Sequence, residues 1–362
     1  MIYYLLLLLV LIVFCFITKN DNKTRKKVAI TIMVILLTLV AGLRHYMVGS
    51  DTIIYYNSYN RMATYGSALL DTSYFEIGYN YLVLFATSLG LDFNAFLLII
   101  SLIMNIGAGV FIYKYSKQPM FSFILFILLR LFFCEMNIMR EFLAIIIFLG
   151  SIKFVEERKF VKFLFMVILA SLFHSSELFT IVIYFLYNLK LTPLKKMFFA
   201  VATALTCVFL YGILVHATQA FGVYGGYIDD YFGSNKLASI VMVIINVVVY
   251  LFFKIIRKKY SNEEQALDEA QRKRLDFYGN ILFFTIIFSI IAIRISIFNR
   301  LALYYQIFDI IAIPNVIQLI TDSKKRLFWY IIIFVCFFVY FVVTLYFRPE
   351  WNNVVPYRFF WK

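Results

Sequence analysis

FVKFLFMVILASLFHSSELFTIVIYFLYN, Phe160 to Asn188, is the stretch on whose reading the fold depends. It is apolar toward both ends and interrupted in the middle by His174, Ser175, Ser176 and Glu177. As one helix it crosses a bilayer once; broken at His174 it makes two short crossings, which changes the side reached by its neighbours. The lysines choose between the two. A continuous helix combined with a crossing at 77–91 turns Lys114, Lys117, Arg158, Lys159 and Lys162 outward, against the bias that keeps basic residues on the cytoplasmic side. A break at His174, with 77–91 re-entrant or interfacial, turns them inward. We therefore expect the broken form, with both termini outside.

The same alternation of apolar run and polar punctuation fills the chain. Of 362 residues 63% are hydrophobic and 15% charged, where soluble domains have roughly 45–50% and 25%. Apolar stretches lie at 2–18, 28–43, 77–91, 94–113, 119–134, 142–155, 160–188, 197–217, 237–253, 278–293, 301–320 and 327–347. The expected fold is an all-α polytopic transmembrane helix bundle of about 12 spans with a re-entrant segment. A single integral membrane domain covers 1–362, with a cytoplasmic loop at 254–277 and outer loops at 44–76 and 218–236. The net charge of +14 is scattered between the runs and forms no continuous face, which argues against nucleic acid and for loops held at an anionic lipid surface. Cys15, Cys134, Cys207 and Cys336 fall within apolar runs and build no disulfide framework. The first run lacks a basic leader and a small-residue cleavage site, so an uncleaved helix is expected there.

Charged groups in or beside spans are costly and mark function. GLRHYMVGSDT, Gly42 to Thr52, carries Arg44 and Asp51; Arg44 and His45 either snorkel at the interface or serve a site. In CEMNIMREFLA, Asn137 and Arg140 share a helical face and Glu141 does not face Arg140. Arg130 lies ten residues earlier in an apolar run, so the bundle has two cations to neutralise, a task for an anionic ligand or for a loop ion pair. His174 is either a satisfied structural residue or a catalyst, and the carboxylate and hydroxyls beside it favour catalysis. Arg294 and Arg300 flank a turn before Tyr304 and Tyr305; the guanidinium fork suits phosphate oxygens, while the tyrosines read as an aromatic belt or, less favoured, as a sugar platform. On the broken-helix topology Arg44, Asp51, Glu76, Arg140, His174, Arg294 and Arg300 all come to the outer side. His45, His174 and His216 are too scattered for a metal site, and no Walker loop, dinucleotide glycine motif or nucleophile elbow occurs.

LRHYMVGSDT followed by Tyr55 and Tyr56, FEIGYNYL (Phe75 to Leu82), NIMREFLA (Asn137 to Ala144), FHSSEL (Phe173 to Leu178), FNRLALYY (Phe298 to Tyr305) and RPEWNNVVPY (Arg348 to Tyr357) occur in this order. In these segments the chain resembles the EpsG-type, Wzy-like polymerases of bacterial exopolysaccharide, capsule and O-antigen repeat units. It departs from them at Glu141, where the family has glutamine after the arginine, and at Glu177, where the family has a small apolar residue. The resemblance implies a lipid-donor glycosyltransferase of the cytoplasmic membrane with no cofactor and no nucleotide sugar. It would move a growing glycan from undecaprenyl pyrophosphate to a fresh lipid-linked repeat unit on the outer side. Its implied partners are the undecaprenyl-pyrophosphate-linked glycan, the bilayer, a chain-length regulator and a flippase. A leaving pyrophosphate needs concentrated positive charge, which Arg44, Arg140, Arg294 and Arg300 would supply with Asn137 and Tyr304 beside them. The attacking hydroxyl needs a base, for which His174 and Asp51 stand first and Glu76 and Glu141 next. A lipid-linked oligosaccharide flippase and a membrane acyltransferase or O-antigen ligase are the alternatives.

Overall fold

A computed structural model describes residues 1–18, 22–69, 75–221, 236–295 and 298–361. The chain is 82% helical, with no strand among the described residues. It divides into two compact units, Met1–Ile181 with Asp322–Lys362, and Val182–Thr321.

The first unit opens with α1 (Ile2–Ile17), α2 (Lys23–Gly42), α3 (Thr52–Tyr65), α4 (Ile77–Ser88), α5 (Phe93–Tyr115) and α6 (Pro119–Leu128). It continues through α7 (Leu131–Asn137), α8 (Met139–Gly150), α9 (Ile152–Glu156) and α10 (Phe160–Ser171). The second unit holds α11 (Ile181–Leu186, whose first residue belongs to the first unit), α12 (Pro193–Phe221), α13 (Lys236–Lys259), α14 (Ser261–Gln265), α15 (Glu269–Arg294), α16 (Phe298–Gln306) and α17 (Asp309–Ile317). The last helix, α18 (Ser323–Phe347), returns to the first unit.

Helix starts follow capping chemistry. Asn22, Asp92, Asp268 and Asp322 accept hydrogen bonds from the first-turn amides of α2, α5, α15 and α18, satisfying donors that have no intrahelical partner. Every residue of α6 is buried, as expected of a helix that is apolar all round, and α1, α2, α5 and α18 each pack against it. The outward side of α18 is a row of exposed apolar residues, Leu327, Ile331, Val335, Val339 and Val343, which a lipid environment would cover.

Four helices among the described residues, α5, α13, α15 and α18, are long and apolar enough to cross a membrane, and a fifth span is α6 with α7 if the bent pair counts as one. Among the described residues several of the expected apolar runs are split into short helices. The run 119–134 bends by 59° at Arg130, whose φ of 65° is left-handed. The run 301–320 divides between α16 and α17. Such breaks survive at membrane depth because the surrounding helices cover their freed backbone groups. The expected break at His174 is present: α10 stops at Ser171, His174 is extended, and a 3-10 turn begins at Ser175. The 77–91 run forms α4 of 12 residues, about 18 Å long against a hydrocarbon core of about 30 Å. One face of α4 (Tyr79, Val83, Ala86) is buried and the other (Ile77, Tyr81, Phe85) is exposed and equally apolar, which suits an interfacial or re-entrant helix. Most of the outer loop expected at 218–236 lies outside the described residues, as does part of the 44–76 loop.

Candidate active site

Two backbone clamps in the first unit build the site. The first seats the segment after α2. Arg44 is completely buried; its Nη1 donates to the Ala41 carbonyl and its Nη2 to the Met136 carbonyl at 2.7 Å. Glu135, also fully buried, lies in electrostatic range of Arg44 and accepts from Asn105 Nδ2 at 2.6 Å. Asn137 Oδ1 accepts from the Ser50 amide at 2.5 Å, and its Nδ2 donates to the Phe133 carbonyl. Gly49 between them has φ of 102°, and a Cβ there would come within 2.6 Å of Thr52 Oγ1 and 3.0 Å of the Met136 carbonyl. The Gly49→Ala change should thus cost about 1–3 kcal/mol through left-handed strain alone, read as a lower unfolding midpoint of the detergent-solubilised protein; an unchanged midpoint would mean the clamp is dispensable.

The C-terminal tail lies across the same segment. His45 donates its amide to Arg358, Gly49 to Asn353, and Phe360 to Leu43, so Arg44 and Phe359 form a β-bridge. Tyr357 and Tyr4 donate their hydroxyls to Val40 and Val354. Arg130 bonds Asn352 and stacks on Trp351, 5.3 Å from the ring centre. The tail thus answers one of the two cations that the sequence left without a partner.

The second clamp joins α4 to the His174 break. The Gly78 amide donates to the Leu172 carbonyl at 2.8 Å, and a Cβ at Gly78 would stand 2.7 Å from that oxygen. Only glycine lets α4 approach this closely, and the approach sets Glu76 beside His174. Glu76 Oε1 accepts from the Ser175 amide at 3.2 Å and lies 3.1 Å from His174 Nδ1, a close contact that is poorly aligned with the ring N–H. Glu76 Oε2 accepts from Arg140 Nη1. On the opposite side His174 Nε2 is 3.6 Å from Glu141 Oε2, with the buried Glu177 in electrostatic range of Glu141. Burial alone would push the Glu76 carboxyl up, but the neighbouring His174 imidazole and the Arg140 charge outweigh it and hold Glu76 below its ordinary value. Arg140 itself sits over Phe75, 4.1 Å from the ring centre, with Tyr55 and Tyr79 each at 5.9 Å.

The arrangement is an imidazole held between carboxylates, with a stacked guanidinium sharing one of them. His174, Glu141 and Glu177 are buried, while Glu76 and Arg140 keep a partial opening to solvent. With a carboxylate near each ring nitrogen, the positive charge that the imidazole gains on taking a proton is offset on both sides.

Of the sequence candidates, Glu76, Arg140, Glu141 and His174 meet in this cluster, and Arg44 and Asn137 hold the segment beside it through main-chain bonds. Asp51 occupies the N-cap position of α3, half-buried, without capping it. Arg294, Arg300 and Tyr304 belong to the second unit. Arg294 is exposed and its Nε donates to the Cys207 carbonyl; Arg300 is exposed on α16. Tyr304 and Tyr305 are wholly buried, Tyr305 against Phe288, which corrects the aromatic-belt reading: the helical period turns this face of α16 inward. Sequence reasoning missed Glu135 and Asn105, and it missed the aromatic box of Arg140. Phe75 and Tyr55 stood in or beside segments already singled out, but nothing in one sequence pairs them with an arginine far along the chain.

A helical membrane protein whose charged cluster is gathered by motif-bearing turns is the class that fold and site define. The chain belongs to the EpsG family, whose profile matches residues 27–359 and so takes in every segment of the site. That family is associated with polysaccharide polymerisation. No curated protein and no solved structure matches the chain.

Proposed function

We propose that the protein polymerises undecaprenyl-pyrophosphate-linked oligosaccharide repeat units at the outer face of the bacterial cytoplasmic membrane. The observation that carries this reading is His174 held between Glu76 and Glu141 beside Arg140, in a chain of the EpsG family. A hydroxyl of the acceptor sugar attacks the anomeric carbon of the donor glycan. Its proton passes to His174, and the bond from carbon to pyrophosphate oxygen breaks, with its electron pair leaving on the pyrophosphate. Glu76 orients the imidazole and offsets the charge it gains. Arg140 positions Glu76 and meets anionic substrate at the opening; Arg294 and Arg300, both exposed, are assigned the diphosphate of a lipid-linked substrate. Arg44 and Asn137, committed to main-chain partners, act as positioning residues. Asp51 is the alternative base.

Purified protein fed lipid-linked repeat units tests the reading. A polymerase yields a ladder of chain lengths, a ligase a single transfer, and a flippase no new bond; either of the last two results removes the proposal. The orientation has its own test. Cysteine at the exposed Ser67 should react with an impermeant maleimide on intact cells, and cysteine at the exposed Ser261 only after permeabilisation. Labelling of Ser261→Cys in sealed cells would invert the topology.

A further inference from the structure

The second unit contains a cavity that this reaction does not use. It measures about 500 Å3 and is walled by the turn after α11, the first turn of α12, the end of α13 and the start of α15. Asn280, itself buried, donates from Nδ2 to the carbonyls of Leu186 and Leu189 at 2.8 and 2.7 Å and so fixes the turn that forms one wall.

Five cations line the cavity, Lys190, Lys196, Lys254, Arg257 and Lys273, against a single carboxylate, Asp276. Arg257 is matched by Glu264 and by Asp276 at 2.8 Å, and Lys273 by Glu269 at 2.7 Å. Lys190, Lys196 and Lys254 make no ion pair among the described residues. The Lys196 ammonium stands over the Tyr250 ring, 5.8 Å from its centre, so an aromatic wall backs the charge. Lys196 and Arg257 repel the Lys254 ammonium, with Asp276 and Glu264 acting against them, and an anion seated among these cations lowers that repulsion. A cavity of this size admits a whole headgroup. Its depth also fits one, since α13 and α15 are both membrane-crossing helices by length and composition and the cavity lies at their polar ends.

We propose that this cavity binds a phosphate-bearing anion, either the headgroup of an anionic phospholipid or a soluble diphosphate. The ammonium groups attract the phosphate oxygens as point charges, with Tyr187 and Tyr250 beside them in the cavity wall.

Two probes test it on the purified full chain: radiolabelled inorganic pyrophosphate by equilibrium dialysis in detergent, and phosphatidylglycerol retained from phosphatidylcholine nanodiscs by native mass spectrometry. The Lys196→Gln/Lys254→Gln variant should bind at least about tenfold more weakly, and the Lys196→Arg/Lys254→Arg variant should recover most of the affinity. A control that removes two lysines elsewhere, Lys324→Gln/Lys325→Gln at the start of α18, should bind like the parent. Retention of phosphatidylglycerol alone assigns a lipid source, and binding of pyrophosphate alone a soluble one. Competition between the two assigns both to one pocket. The proposal is overturned by three outcomes: neither probe binding at millimolar concentration, the glutamine variant binding like the parent, or equal loss in the control.

Discussion

A chain carrying His174→Gln should insert normally and make polymer roughly a hundred- to ten-thousandfold more slowly per molecule, the range typical of a lost general base. Glutamine keeps a hydrogen-bonding group of similar reach in the gap between Glu76 and Glu141 but does not accept a proton at neutral pH. Binding of lipid-linked substrate should stay close to the parent level, so the loss falls on turnover and not on apparent affinity. A purely structural His174 predicts the reverse, with less folded protein and full activity in each molecule that remains. Near-normal polymer from the glutamine variant would eliminate His174 as the base and move the assignment to Asp51.

Removing the guanidinium at Arg140 should be as severe. In Arg140→Ala the carboxylates of Glu76 and Glu141 flank one imidazole, with Glu177 in range of Glu141, and no arginine is left among them. Breaking a buried pair by deleting one partner costs about 3–5 kcal/mol, with the lower end apt here because Glu76 keeps 21% of its side chain exposed. Polymer should fall below detection while the protein still reaches the membrane. Adding Glu76→Gln to Arg140→Ala should recover much of the lost stability, since it removes the orphaned charge, and none of the activity. Arg140→Lys should restore activity only in part, because a point charge neither forks onto the carboxylate nor stacks on Phe75 as a plane does. Full activity with lysine would show that charge alone suffices.

How much of this was legible beforehand follows from the range over which each signal acts. The break at His174 was readable because a histidine, two serines and a glutamate interrupt an apolar run locally. The short α4 was readable for a similar reason: its length and the lysine bias both opposed a crossing. The bend at Arg130 was not, because the run around it is apolar on both sides and the left-handed residue is an arginine, a type that carries no turn signal. Within the site, Arg140 and His174 were visible as isolated polar groups at depth, but their partner Glu76 lies 64 and 98 positions away in the chain, and no single-sequence periodicity reaches that far. At Arg44 the charge was visible but its surroundings were not: it lies in range of Glu135 and donates to the carbonyls of Ala41 and Met136.

The tail has a consequence for how the protein is made. Residues near its end supply partners for Tyr4, Val40, Leu43, His45 and Gly49, close to its beginning. A ribosome delivers those early segments to the membrane long before their partners exist, and the whole second unit is synthesised in between. The first unit must therefore wait, inserted but unlatched, until residues 352–360 have been made. A nascent chain stalled before Pro349 should be recognised by membrane proteases as unfinished, whatever the state of its other helices.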